Sequence, residues 1–390
     1  MFVGIDIGKY RHQAVFLDDS GKDLCTSFDF ENTEEGYAIF FERLGAFHEA
    51  SPVIGMEATG HYWLNLYTAL LARDLETHVI NPIQTEAMRR MNIRKTKTDS
   101  VDCRYVAQVI RMGDYSDVVV QASDIAELRQ LCRYRYGLVD SVTALKNQVT
   151  GILDRVFPEY SSLFSDIFGA SSMEVLKRYT TAEAISKVPL KRLSELLHKH
   201  SRGAFGDEKA SQLKEACKHS VGIGSQNAAF AFQLQQQLQL IEFTQSQIAL
   251  VEKRIEACYS RFPCFLHTIQ GVGVISAAVI LSEIGDIHLF DSPKKLVAFA
   301  GIDPSVHQSG TFSASVSHMS KRGSPYLRRA LWNAADVASR CNPVLSDFYR
   351  QKRNEGKNHM TAIGACSRKL CFIVFGILRN NMPFDPCFSS

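Results

Sequence analysis

The first third of the chain alternates short strand-like runs with amphipathic helical runs, and this order constrains the fold more than any other feature. The runs FVGIDIG, HQAVFLDD and LCTSFDF are rich in Val, Phe and Ile and are separated by GKYR and DSGK, which is typical of strands and turns. In NTEEGYAIFFERLGAF, Asn32 is followed three residues later by Glu35, which predicts a helix start. SPVIGMEA and THVINP predict further strands, with a helix between them at HYWLNLYTALLARD.

This order, βββαβαβα, is that of a ribonuclease H-like α/β domain, in which a mixed sheet carries helices on its faces. We predict such a domain over residues 1–120. The next region, 121–262, has two stretches with apolar residues at helical intervals, which predict an antiparallel coiled-coil arm with a helical insertion at 160–225. Residues 263–390 predict a mainly helical third domain. A chain of 390 residues with 45% hydrophobic content can bury several cores.

The third domain opens with a glycine turn. Gly271 and Gly273 flank one valine in HTIQGVGVISAAVILSEIGD, between two apolar helical stretches. This pattern predicts a helix-hairpin-helix-like element, in which a glycine turn brings backbone N–H groups close to a phosphate. A buried glycine turn between two core helices gives the same pattern, so this alternative stays open.

The net charge is only +3, but positive charge is concentrated in two segments. Arg89 to Arg111 holds seven Lys and Arg against two acids, and His318 to Arg379 holds twelve against three. Both segments indicate binding to a polyanion, with solvated helix surfaces as the alternative. The residues predicted to contact nucleic acid are Lys95, Lys97, Arg104, Gly271, Gly273, Lys321, Arg322, Arg328 and Arg329.

Several classes of protein are disfavoured by what the sequence lacks. The ten Cys and twelve His show no CxxC and no zinc-like spacing, so we expect reduced thiols and no structural zinc. The N-terminus has no signal-peptide pattern and no apolar run reaches about 18 residues, so we expect no membrane span. The apolar run LCFIVFGIL predicts a buried helix. We therefore expect a cytoplasmic, nucleoid-associated protein.

Four acids fall where ribonuclease H-like nucleases carry theirs. Asp6 lies in GIDIG, Glu57 lies in GMEATG, and Asp99 and Asp102 lie three positions apart in KTKTDSVDCR, on one face of a predicted helix. Carboxylates that converge in one cleft repel each other unless a cation separates them, and Mg²⁺ or Mn²⁺ takes oxygen ligands. Two such ions stabilise both the entering and the leaving oxygen of a phosphodiester displacement. We therefore predict two divalent ions bound by these four acids.

Motifs in the first and last thirds carry a family resemblance. The stretches in the first third are VGIDIGKYRH, GMEATGHYW, VINP and KTKTDSVDCRYVA. Those in the last third are IQGVGVISAAVILSEIGD, FDSPKKLVAFAGIDPSVHQSG, HMSKRGSPYLRRALWNAA and AIGACSRKL. Together they resemble the DEDD transposases of bacterial insertion sequences, the family that includes the Piv-type DNA invertases, over most of 1–113 and 265–379. Cys103 departs from the family pattern, which usually has Ala after the second Asp.

The resemblance implies a RuvC-like catalytic domain, a coiled-coil arm and a C-terminal transposase domain with a catalytic serine. That serine falls on Ser309 in HQSG, although the residues alone do not distinguish it from Ser305, Ser313 or Ser315. A serine attacking a phosphodiester stores the bond energy as a phosphoserine ester. The resemblance also implies a guide RNA encoded by the element, which pairs with donor and target DNA. The apolar stripes of the arm indicate a homo-oligomer, a dimer or a tetramer.

These inferences predict a transposase or site-specific recombinase of an insertion sequence that cuts and rejoins DNA through metal-assisted serine attack. The alternative is a RuvC-like structure-selective nuclease or resolvase, which shares the four acids and differs in the last third. An actin-like ATPase is disfavoured because the sequence has no second Asp-Gly-Gly phosphate loop. A DNA-binding module without chemistry is disfavoured by the intact acids.

Overall fold

The computed structural model divides the chain into two units, residues 1–120 and 121–390. The chain is mostly helical, and its first unit contains a mixed β-sheet with both parallel and antiparallel strands. The described residues are 1–47, 51–58, 60–91, 99–113, 115, 123–223, 228–304, 308–309, 312–313 and 319–388.

A five-stranded sheet in the order β3-β2-β1-β4-β5 forms the centre of the first unit. Strand β1 pairs antiparallel with β2 and parallel with β4, and β5 pairs parallel with β4. The predicted mixed sheet is therefore confirmed, and it places β1 and β4 side by side at its centre. The strands are β1 (Phe2–Ile7), β2 (Arg11–Leu17), β3 (Phe28–Glu31), β4 (Val53–Glu57) and β5 (Glu76–Ile80).

Helices cover both faces of this sheet. On one face α1 (Glu34–Gly45) and α2 (Trp63–Leu71) bury an apolar core that includes Phe16 and Phe40. On the other face lies α4 (Asp99–Met112), with α3 (Pro82–Met91) packed against it. Successive side chains of a strand point to opposite faces of a sheet, so apolar residues on these strands can pack against helices on both faces.

The start of α1 corrects one sequence prediction. Thr33, rather than Asn32, is the N-cap, because its hydroxyl accepts a hydrogen bond from the N–H of Gly36 at 3.1 Å. The Asn32 side chain instead accepts a hydrogen bond from the hydroxyl of Tyr37. Either residue type can cap a helix, so the sequence alone could not separate two adjacent candidates.

Two long antiparallel helices, α5 (Ser123–Val156) and α11 (Ala228–Tyr259), begin the second unit. Ion pairs fix their direction, since Arg261, just beyond α11, pairs with Asp124 at the start of α5 at 3.1 Å. Farther along, Arg135 pairs with Glu252 at 2.6 Å. The two long helices predicted for this region are present. That they form a coiled coil in the strict sense stays a prediction.

The segment between the long helices is helical, as predicted, and packs onto them around a core that contains Tyr160 and Leu193. The five helices among its described residues are short, and the longest of them has 12 residues. They are α6 (Tyr160–Leu163), α7 (Ala170–Arg178), α8 (Ala182–Ser186), α9 (Leu190–His200) and α10 (Asp207–Lys218).

In the rest of the second unit, the residues that the structure describes form a bundle of five α-helices around a core that includes Leu331 and Leu370. One of them, α16 (His359–Asn380), is long and apolar enough to cross a membrane by length and composition, but Leu370 and Val374 on it lie buried in this core. The apolar run 370–378 is therefore a packed helix, as expected. The five helices are α12 (Val274–Ile284), α13 (Pro293–Ala300), α14 (Pro325–Cys341), α15 (Pro343–Asn354) and α16 (His359–Asn380).

The predicted glycine turn precedes α12. A 3-10 turn at Leu266–Thr268 comes before it, and Gly273 is the N-cap of α12. Gly271 has φ +97°, and a Cβ there would lie 2.6 Å from the Cα of Ala338, so α14 packs directly against the turn. Close packing against α14 therefore accounts for glycine at position 271. The helix-hairpin-helix interpretation stays a prediction.

A buried carboxylate connects two helices of this bundle to the long helix α5. Glu283 on α12 is 2% exposed and receives two hydrogen bonds from Arg133 on α5, at 2.6 and 2.9 Å. Its Oε2 also accepts a hydrogen bond from the hydroxyl of Ser324, the N-cap of α14, at 2.6 Å. Arg129 adds hydrogen bonds to the carbonyls at the end of α12. The network ties the first long helix to the start of α14.

Candidate active site

Two carboxylates lie next to each other at the ends of the central strands. The parallel register pairs Ile5 of β1 with Met56 of β4, so the next residues along, Asp6 and Glu57, are neighbours. Both are partly buried. Because the strands are parallel and aligned, alternation places both side chains on the same face of the sheet.

That face is the one covered by α4, as two glycines show. A Cβ at Gly4 would lie 2.0 Å from the carbonyl oxygen of Cys103, and a Cβ at Gly55 would lie 2.8 Å from Ile110. Helix α4 can therefore approach the sheet only because both positions lack a side chain. Asp6 and Glu57 each lie two residues beyond a glycine, on the same side of their strands.

Asp102 lies in the first turn of α4 and is 7% exposed. Arg89 of α3 donates to its Oδ1 from Nη2 at 2.9 Å and from Nε at 3.2 Å. Asp99 begins α4, and residues three apart share one face of a helix. The side chain of Asp99 lies outside the described part of the structure, so its contacts stay a prediction.

Thr85 holds the second strand acid in place. Its hydroxyl, on α3 and 1% exposed, donates to Oε2 of Glu57 at 2.7 Å. This hydrogen bond fixes the orientation of the Glu57 carboxylate. Nothing in the sequence marks Thr85, since a threonine inside a helix is ordinary, and only the fold brings it to β4.

Cys103, where the family usually has Ala, lies close to the acids. Burial, and to a smaller extent the nearby charge of Asp6, raise the pKa of its thiol to about 12. The thiol therefore stays protonated at neutral pH, and it donates to the carbonyl of Ser100 at 3.2 Å. A protonated thiol is a poor metal ligand, so Cys103 does not compete with the carboxylates.

The donor set fits a hard divalent ion, because Asp6, Glu57 and Asp102 offer only carboxylate oxygens. Among the described residues, however, no three Asp, Glu, His or Cys side chains already lie close enough together to hold a metal. The side chain of Asp99 is not part of that comparison. In this structure the ion-pair partner of Asp102 is Arg89.

The predicted nucleophile lies in the second unit. Ser309 belongs to the two-residue strand β6 (Gln308–Ser309), which pairs antiparallel with β7 (Phe312–Ser313), so that Ser309 is opposite Phe312. A bridge between Pro304 and Met319 joins the chain on either side of this pair. The side chain of Ser309 lies outside the described residues, as do Ser305 and Ser315, and its role stays a prediction.

The basic residues predicted to bind nucleic acid divide into two groups. Lys321 and Arg322 are exposed. Arg328 donates to the carbonyl of Ala300 at 3.3 Å, and Arg329 pairs with Asp140 at 2.8 Å. The second group therefore has partners within the protein, a carbonyl for Arg328 and a carboxylate for Arg329, which the sequence could not reveal.

The basic segment near α4 gives a similar result. Arg104 pairs with Asp23 and donates to the carbonyl of Gly21 at 3.2 Å, so it fixes the turn after β2. Lys95 and Lys97 lie outside the described residues.

A mixed sheet with adjacent acids at the ends of two central strands, covered by a helix that carries further acids, defines a DEDD nuclease-like domain joined to a larger helical unit. Comparison with known families agrees. The model of the DEDD domain of IS110 elements, described as Transposase, matches residues 3–158. A second, described as Transposase IS116/IS110/IS902 family, matches residues 265–350. The chain belongs to this family of transposases, enzymes that cleave and rejoin DNA.

Individual relatives span nearly the whole chain. The 43.6 kDa protein of insertion element IS110 from Streptomyces coelicolor is 26% identical, over 99% of this chain and 95% of its own length. The pilin gene-inverting protein of Moraxella bovis is 25% identical, over 98% and 97%. The transposase for insertion sequence element IS1111A of Coxiella burnetii is 24% identical, over 85% and 76%.

Proposed function

We propose that this transposase cuts and rejoins DNA strands by serine attack assisted by divalent metal ions. The observation that carries the proposal is the placement of Asp6 and Glu57 side by side on the sheet face that α4 covers. Asp102 and Asp99, from the first turn of α4, complete the proposed ligand set. Mg²⁺ bound there would stabilise the charge that develops on the phosphate oxygens during displacement.

The residues around the acids have distinct proposed roles. Thr85 orients Glu57 through its 2.7 Å hydrogen bond. Arg89 pairs with Asp102, which limits repulsion among the carboxylates. Separating the buried Asp102 from Arg89 costs free energy. A metal ion bound to Asp102 would therefore have to supply the positive charge that Arg89 supplies in this structure.

Ser309 is the proposed nucleophile. Its oxygen forms a bond to phosphorus while the bond from phosphorus to a deoxyribose oxygen breaks. The serine proton passes to solvent water, and the leaving oxygen takes up a proton from solvent water, so no net proton is gained or lost. The phosphoserine ester keeps the energy of the broken bond, so the same chemistry in reverse rejoins a strand without a nucleotide cofactor.

For binding along the DNA backbone we propose Lys321, Arg322 and the N-terminus of α12 at Gly273. The two cations are exposed, and a Cβ at Gly273 would meet nothing within 4 Å, so a phosphate has room to approach. Arg328 and Arg329 have the smaller proposed part in phosphate binding, because each already has a partner within the protein.

The family resemblance also leads us to propose an element-encoded guide RNA and a homo-oligomer. Exposed basic residues suit RNA as well as DNA. Helix α11 supports the oligomer, because Leu240, Phe243 and Leu250 are exposed at spacings of three and seven, which places them along one side of the helix. An apolar stripe of this kind is stabilised when a second helix covers it.

The experiment measures joining of DNA that carries the element ends, with the protein in Mg²⁺ or in EDTA. We expect joined product in Mg²⁺ and none in EDTA, and full activity in EDTA would overturn the metal proposal. A branched DNA junction without element ends tests the alternative. Efficient cutting of that junction, with no joining of element ends, would favour a structure-selective nuclease, whereas the match of 265–350 to a transposase family supports the recombinase.

A further inference from the structure

A wide groove lies on the second unit, among α15, α16 and the chain that follows α16. Its volume is about 1230 Å³. Three phenylalanines line it, Phe348 from α15, Phe372 from α16 and Phe384 from the segment after α16. Phe372 is 41% exposed, which is unusual for an aromatic side chain on a helix whose other side is buried.

The groove also carries positive charge. Lys352, Arg368 and Lys369 line it, against the single acid Asp385. The ammonium groups of Lys369 and Lys352 lie 4.8 and 5.1 Å from the centre of the Phe348 ring. Lys352 is partly neutralised by Glu355 at 2.9 Å, so Arg368 and Lys369 provide most of the available charge.

The floor of the groove includes Gly376, about one turn before the C-terminal end of α16. Glycine disfavours helix formation, and here no packing requires it, since a Cβ at this position would meet nothing within 4 Å. Its effect is to leave the floor of the groove open between Phe372 and the far wall. That wall is itself fixed, because the N–H of Phe384 donates to the hydroxyl of Thr268 at 2.8 Å.

We propose that this groove binds unpaired nucleotides of single-stranded DNA, with bases against the phenylalanine rings and phosphates at Arg368 and Lys369. Aromatic rings next to cations are the combination that holds single strands without reading their sequence. The inference goes beyond the proposed chemistry at Ser309 and the acids. Its link to the activity is that strands must separate before they can be exchanged, which leaves nucleotides without a partner.

Gly376 offers the sharpest test, because filling the groove there removes no group from the protein. Gly376→Leu should block the groove, whereas Gly376→Ala should leave it nearly open. Both changes favour the helix, so neither should lower the melting temperature. The probe is a single-stranded oligothymidylate of about 12 nucleotides, within the range of known single-strand sites. Binding of the full-length protein to this probe is measured alongside a duplex and an oligouridylate of the same length.

We expect Gly376→Leu and Phe372→Ala to weaken oligothymidylate binding roughly 5- to 100-fold, with duplex binding unchanged. Lys369→Gln should reduce the salt slope of single-strand binding by about 0.7. Wild-type single-strand affinity in Gly376→Leu, with the fold intact, overturns the proposal. Selective loss of oligouridylate binding makes RNA the occupant and contradicts the choice of DNA. Loss of self-association alone makes the occupant a second copy of the chain.

Discussion

The acids of the first unit lie on long secondary-structure elements, whereas the serine of the second unit lies on a very short one. Asp6 and Glu57 lie on strands at the centre of a five-stranded sheet, and Asp102 lies on a 14-residue helix packed against it. Ser309 lies on a strand of two residues paired with another of two. Strand register therefore fixes the positions of Asp6 and Glu57, whereas Ser309 is indicated by the family resemblance.

The largest expected effect is the loss of activity in Asp6→Asn or Glu57→Gln. Each change removes one metal-binding charge while keeping the size of the side chain, and we expect strand exchange to fall by at least about a hundredfold. The fold should be retained, because fewer like charges face each other. Asp29→Asn is the control, since Asp29 is an exposed acid of the same sheet paired with Arg11. Wild-type exchange by either site variant would contradict the role of the acids.

The sequence predicts features that depend on local patterns, but not contacts that depend on how the elements pack. Alternating apolar runs predicted the strands and their order, and hence the slots of Asp6 and Glu57, because local patterns determine strands. The partners Thr85 and Arg89 could not be predicted, since helix packing brings them to the acids. The engagement of Arg329 with Asp140 was missed for the same reason: the two residues are distant in sequence and meet only in the folded unit.

In the second unit, the largest stability effect should come from Glu283→Gln. The change breaks a bidentate ion pair with Arg133, whose own side chain is 41% exposed. Because that arginine can be solvated, we expect a loss of about 2–3 kcal/mol, less than for a pair buried on both sides. Urea unfolding measures it. Asp291→Asn, which breaks the exposed pair with Lys295, is the control and should cause no measurable loss. Equal effects in the two variants would argue against a structural role for Glu283.

A smaller effect in the first unit is expected from Arg89→Met. It leaves the buried Asp102 without its cation, which should cost about 1–3 kcal/mol in the absence of metal. Saturating Mg²⁺ should recover part of the loss, because a bound cation replaces the arginine. Arg90→Met is the matched control, since Arg90 is mostly exposed and pairs only with Glu86 among the described acids. A loss that Mg²⁺ does not change would separate Arg89 from the metal site.

The smallest effect concerns the basic residues that follow Ser309. Replacing Lys321 and Arg322 by Gln should reduce the salt slope of duplex DNA binding by about 0.9 per lost phosphate contact. Arg329→Gln should change the slope less, because Arg329 is paired with Asp140 and lies over the ring of Tyr136. Filter binding over a range of salt concentrations compares them. A larger change in slope for Arg329 than for Lys321 would reverse the division proposed here.

The central claim, serine attack assisted by metal, is tested most directly by a covalent protein–DNA adduct. The protein is incubated with DNA carrying the element ends in Mg²⁺, denatured, digested with protease and analysed by mass spectrometry. We expect a nucleotide on Ser309 in the wild type and in Ser313→Ala, and no adduct in Ser309→Ala or Asp6→Asn. An adduct that persists in Ser309→Ala, with its mass on Ser305, Ser313 or Ser315, would show that Ser309 is not the nucleophile.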